Sequence, residues 1–162
     1  MRKMLFIGLV LLALLCAMPA AVSAAGSDTV VVNGNIQISM EVNAAATSIE
    51  FGSMAAGTEE SGSSNVNVVT TSTSWNVRAS DERTTTKGYL YKAGTPDVPL
   101  TNALRFGKTA NPTGTLVTDL ANFMQGTAAG SFDQMAYVEQ DIAPADRQGT
   151  YTMTITFTGT AS

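Results

Sequence analysis

Three pairs of acidic residues stand close together in the chain: Glu59 with Glu60, Asp81 with Glu82, and Asp141 with Asp146. Two carboxylates at a fixed separation are enough for glycoside hydrolysis, one as acid and the other as base or nucleophile. Loop carboxylates are also the usual ligands of calcium. Other catalytic sets are excluded by composition. The chain has no histidine, and its one cysteine, Cys16, lies in an apolar run near the N-terminus. Ser-His-Asp and Cys-His nucleophiles and His or Cys zinc sites are therefore ruled out. No twelve-residue calcium loop and no Asp-rich repeat is present, and no glycine-rich phosphate loop follows a strand pattern. All three acidic pairs fall in turn-like segments, where charges are ordinarily solvated. The expectation is a protein that is not an enzyme and that uses no cofactor or metal.

Aromatic residues offer a second kind of chemistry. Trp75 shares a strand face with Val77 and Ala79. It has two readings: a core residue between sheets, or an exposed ring that stacks on sugars or docks a partner. A tryptophan is large enough for either role, and its single N–H needs an acceptor in both. Tyr89 and Tyr91 would extend such a contact surface, and are equally at home as strand residues. Trp75, Tyr89 and Tyr91 are the candidate ligand or partner contacts.

These residues must be positioned by strands. "GTYTMTITFTGTAS" closes the chain with Tyr151, Met153, Ile155 and Phe157 alternating with threonines, which predicts one apolar and one hydroxylated face. "TVVVNGNIQISMEV" alternates likewise, with Ile36, Ile38, Met40 and Val42 on one face. "TSIEFG" reads as a short strand with Ile49 and Phe51 inward, and "MAAGTEESGSS" as a polar loop. "NVNVVTT", "TSWNVRAS", "YLYKAG" and "SFDQMAYVEQDI" read as strands, "DERTTTKG" as an exposed turn, and "APADRQG" as the turn before the last strand. "LVTDLANFMQG" spaces Leu116, Leu120, Phe123 and Met124 as a short helix or irregular crossover would. Short alternating runs separated by Gly, Pro, Ser and Asn argue for an all-β fold, an antiparallel β-sandwich or barrel.

The N-terminus sets the expected compartment. Arg2 and Lys3 precede the apolar stretch "MLFIGLVLLALLCAM", and Val22 and Ala24 are small residues suited to signal-peptidase positions −3 and −1. Residues 1–24 therefore read as a cleaved secretory signal helix, shorter than the ~20 apolar residues of a spanning helix. Leu15 stands where a lipobox before Cys16 needs Gly, Ala or Ser. Residues 25–162 would form a single β-sandwich domain without disulfides, of a length that supports its own core. Loss of Arg2 and Lys3 takes the formal charge from −4 to −6, a poor balance for nucleic acid or anionic lipid. Membrane contact is expected only through the signal peptide before cleavage. No Asn opens an acceptor sequon for N-glycosylation, since Asn111 is followed by Pro112.

The order "SIEFG", "VNVVTTSTSWNVRAS", "PLTNALRFG" and "DRQGTYTMTITFTGTAS" resembles the WxL domain of secreted cell-surface proteins. Residues 48–52 and 149–156 fit best. Val77 stands where the first signature has Leu, and Phe157 and Gly159 stand where the second has Trp and Leu. The resemblance implies an Ig-like or WxL-like sandwich, an extracellular place at the cell surface, and non-covalent attachment to envelope polymer. Two functions are expected, the first from the resemblance and the second from the strand pattern "SDTVVVNGNIQISMEV" directly after the cleavage site. One is a secreted, non-enzymatic module that binds an envelope polysaccharide or another surface protein. The other is a self-assembling fibre, pilus or surface-layer subunit that donates its N-terminal strand to a neighbour.

Overall fold

The computed structural model describes residues 37–92, 94 and 98–162. The expected signal segment, Ile36 and most of the first alternating run lie outside them. Among the described residues every regular element is a strand. They are β1 (Met40–Ala44), β2 (Glu59–Thr70), β3 (Trp75–Ser80), β4 (Tyr91–Lys92), β5 (Arg105–Gly107), β6 (Leu120–Gly126), β7 (Gly130–Asp141), β8 (Tyr151–Thr152) and β9 (Thr156–Ala161). All pairings are antiparallel, in sheets ordered β1-β2-β7-β5, β6-β3-β9 and β4-β8.

Side-chain alternation aims the apolar faces of the two larger sheets into one core. Val66 and Val68 of β2, Ala136 and Val138 of β7 and Phe106 of β5 join Trp75, Val77 and Ala79 of β3 and Phe123 of β6. Rings meet across the sheets. The Phe106 centroid is 5.6 Å from that of Phe123, and Trp75 and Phe132 are 4.9 Å apart. Phe157 of β9 completes the aromatic group at 5.1 Å from Phe123.

Five local expectations change. The polar stretch 59–64 is strand, not loop: it forms the first half of β2, paired from Glu59↔Asp141 to Ser64↔Ala136. Gly62 makes room there, because a Cβ on it would lie 2.3 Å from Ile49 Cγ2. Residues 47–52 consequently form no strand, although Ile49 and Phe51 do pack on the core.

The segment 116–126 forms a strand where helical spacing was read. Val77 pairs with Met124 but Ala79 with Leu120, so β6 carries extra residues opposite β3. That bulge turns the adjacent Phe123 and Met124 both inward. Bulged spacing imitates a helical period.

The closing run is two strands rather than one. β8 pairs with β4 and β9 with β3, while residues 153–155 bridge them. Met153, Ile155 and Phe157 nevertheless face the core. Finally, Ile38 does not share the buried face of Met40 and Val42. It is 62 % exposed, because β2 ends at Thr70 opposite Met40 and offers no strand beyond.

Candidate functional site

The structure separates the acidic pairs and gives most of their carboxylates positive partners or backbone donors. Asp81, expected as a solvated turn charge, is only 1 % exposed. It follows β3 directly and accepts from Arg83 Nη2 at 2.6 Å, Arg83 Nε at 3.0 Å and the Gly88 amide at 2.9 Å. Burial alone would raise its pKa, but the hydrogen bonds from Arg83 and the Gly88 and Arg83 amides, with the guanidinium charge, hold it below the ordinary carboxylate range. Arg83 also donates to the Tyr89 carbonyl and lies 4.2 Å from the Tyr91 ring centroid. This is a staple for the 81–91 loop.

Arg105 gathers the second group. Its guanidinium pairs with Glu59, with Glu139 at 3.0 Å and with Asp141 at 3.4 Å. Glu59 and Asp141 are thus strand residues facing one cation. Asp146 instead caps the Thr101 and Ala143 amides, both at 2.8 Å. Asp119 sits between Lys87 at 2.5 Å and Arg78 at 2.8 Å, and Lys87 foremost holds its pKa down. Asp133 is lowered by bonds from the Asn65 and Asn67 amides. A general acid working near neutral pH needs a shift upward. Asp81, Asp119 and Asp133 all move the other way. Among the described residues no group of three or more His, Cys, Asp or Glu is placed to hold a metal ion, and no helix is long and apolar enough to cross a membrane.

The three aromatic candidates do not meet. Trp75 is 6 % exposed, packs on Phe132, and donates its indole N–H to the Ala128 carbonyl at 2.9 Å. Its ring lies on Gly126 of β6, where a Cβ would come within 2.4 Å of Trp75 Cζ2. Tyr89 and Tyr91 are half-buried beyond the opposite end of β3, in the loop held by Asp81 and Arg83.

A different constellation stands on the outer face of the β6-β3-β9 sheet. Asn76 pairs with Gln125 on one side and Thr160 on the other, so the three side chains form a row across the sheet. Ser74, Trp75, Asn122 and Ser162 border the same open depression of about 570 Å³. The side chains of Asn76, Asn122, Gln125 and Thr160 have no hydrogen-bond partner among the described residues. Asn65, Asn67, Asn102, Gln134 and Gln140 are all engaged. Three unpaired amides, Asn76, Asn122 and Gln125, thus share this face, while those of Gln37, Asn43, Asn111 and Gln148 lie outside the sheet. Nothing in the sequence marks them, because three strands distant in the chain supply the row and only their register aligns it.

The second opening is apolar. A cleft of about 390 Å³ lies beside the core, between residues 44–51 and 153–157.

The chain matches no protein-family model and no curated protein, so its resemblance to the WxL domain rests on the quoted motifs alone.

Proposed function

We propose that the protein is an exported, non-enzymatic module of the cell surface, an antiparallel β-sandwich of Ig-like or WxL-like type that binds a neutral, polyhydroxylated envelope polymer. The carrying observation is the row Gln125–Asn76–Thr160 with Asn122 beside it, all uncharged and unpaired. A side-chain amide presents donors and an acceptor in one plane, and a hydroxyl does both, which matches the mixed demands of sugar hydroxyls. Directly opposed strand residues stand ~5 Å apart, a spacing at which one sugar ring can bridge two of them. The side chains that line the depression carry no charge, which favours a polysaccharide over a charged polymer, and binding there should vary little with salt.

Cosedimentation with purified envelope polysaccharide tests this. Asn76→Ala and Gln125→Ala should each weaken binding ~2–12-fold, the equivalent of ~0.5–1.5 kcal/mol for one neutral hydrogen bond. Both positions lie on the solvent side of the sheet, so the fold should be unaffected. Wild-type retention by the double variant, or no retention of the wild-type protein, would end the proposal.

A further inference from the structure

The open edge between β1 and β9 is closed at one end only. At Gly159 the two strands touch: a Cβ there would lie 2.7 Å from Met40 Cε and 2.8 Å from Val42 Cγ2. Away from this contact the walls diverge. β9 begins at Thr156 and is preceded by residues 153–155, while β1 ends at Ala44 and runs on irregularly over Gly62. The cleft of about 390 Å³ opens between them, floored by Ile49, Phe51, Leu104, Phe106, Val138 and Phe157. Both walls carry unsatisfied main chain. Among the described residues, no backbone hydrogen bond reaches residues 47–51 or 153–155. Apolar pockets beside free backbone groups are what an added strand uses: main-chain bonds supply affinity and alternate side chains fill the pockets.

The chain contains a segment suited to this place. Even-numbered residues from 30 to 42 read Val, Val, Gly, Ile, Ile, Met, Val. Met40 and Val42 spend that pattern on the domain's own core, but Ile38, of the same parity, is 62 % exposed. Its neighbours are already tied to the end of β2, with Ser39 and Gln37 bonded to Thr71. The apolar pattern therefore continues past the last strand that could pair with it. Residues 37–39 also stand at the Thr71 end of β1, ~16 Å along the strand from the Ala44 end where the cleft begins.

We propose that the cleft receives residues 29–36 of a second copy of the chain as an added strand, with Val30, Val32 and Ile36 directed into it. Extended, this segment reaches ~26 Å, longer than the wall of residues 47–51, which spans ~16 Å at most. Asp28 precedes it and it carries no charge itself, and the lining residues of the cleft are uncharged too. Each copy so joined offers its own segment and its own cleft, a heterologous contact that propagates as a fibre or closes as a ring.

Mixed cysteine variants test this in the full chain carrying Cys16→Ser, which leaves the engineered thiols as the only ones. One preparation carries Val32→Cys and the other Met153→Cys, a half-buried residue of the cleft wall that faces the core. Oxidation of the mixture should give the disulfide-linked heterodimer, and Val31→Cys, on the opposite strand face, should give about tenfold less. In parallel, Val32→Asp and Ile36→Asp should abolish association in sedimentation while leaving the thermal melt unchanged. The proposal is overturned by equal yields from Val31→Cys and Val32→Cys, or by absence of the heterodimer. A within-chain disulfide in the Val32→Cys/Met153→Cys double variant as the sole product overturns it as well.

Discussion

Asp81→Asn is the most informative single change in the described domain. The substitution keeps size and shape but removes the charge that faces Arg83, and its amide nitrogen turns a donor toward the Arg83 or Gly88 N–H groups. In the native protein this 1 % exposed carboxylate takes Arg83 Nη2 at 2.6 Å and the Gly88 amide at 2.9 Å. Removing one partner of a buried ion pair costs ~3–5 kcal/mol when the other is left uncompensated. Arg83 is still 23 % exposed and keeps the Tyr89 carbonyl and the Tyr91 ring. The loss should therefore fall at or just below the lower end of that range, ~2–3 kcal/mol at pH 7. The pH dependence follows from the downward shift of the Asp81 pKa. A depressed folded value gives stability that is fully present above the unfolded carboxylate pKa of ~3.9 and is lost as pH falls through the folded value. Urea denaturation at a series of pH values reads both quantities. Wild type and variant should differ by the full amount at pH 7, and the gap should close as acid protonates Asp81. A loss under ~0.5 kcal/mol at pH 7, or a gap that persists unchanged in acid, would refute the assignment of Asp81 as a charged buried staple.

Gly126→Ala places a methyl 2.4 Å from Trp75 Cζ2, so the ring must shift at a cost of ~1–3 kcal/mol, and the emission of this sole tryptophan should move to the red. Ile155→Thr should cost ~1–2 kcal/mol in a denaturant melt, since Ile155 is half-buried against the core, whereas Thr154→Val at the exposed neighbour should stay within ~0.5 kcal/mol. Equal effects at the two positions would mean that the bridge between β8 and β9 is covered on both faces. If residues 1–24 are a cleaved signal, mass spectrometry of protein secreted by a suitable host should find an N-terminus at Ala25; a product retaining residues 1–24, or a lipid on Cys16, would overturn that reading.

Period-two alternation by itself determined the all-β class and the inward face of each well-patterned strand. Val77 and Ala79, Val66 and Val68, and Ile155 and Phe157 point where their parity requires, because a strand has only two faces and apolar side chains leave water. The missing histidine likewise limited the chemistry before any fold was known. Where the pattern was weak, neighbours decided. "EESGSS" has little strand character of its own, yet it is strand because β7 pairs with it and Gly62 admits Ile49. The inward Phe123 and Met124 depend on a bulge that exists only opposite β3. Asp81 looked like any exposed acid, because the guanidinium that lets it be buried reaches it only when the loop closes. The row Gln125–Asn76–Thr160 is also a product of register: shift one strand by a single residue and its member turns to the opposite face. Strand character is local, whereas partners, register and the openings between sheet edges are set by contacts across the whole chain.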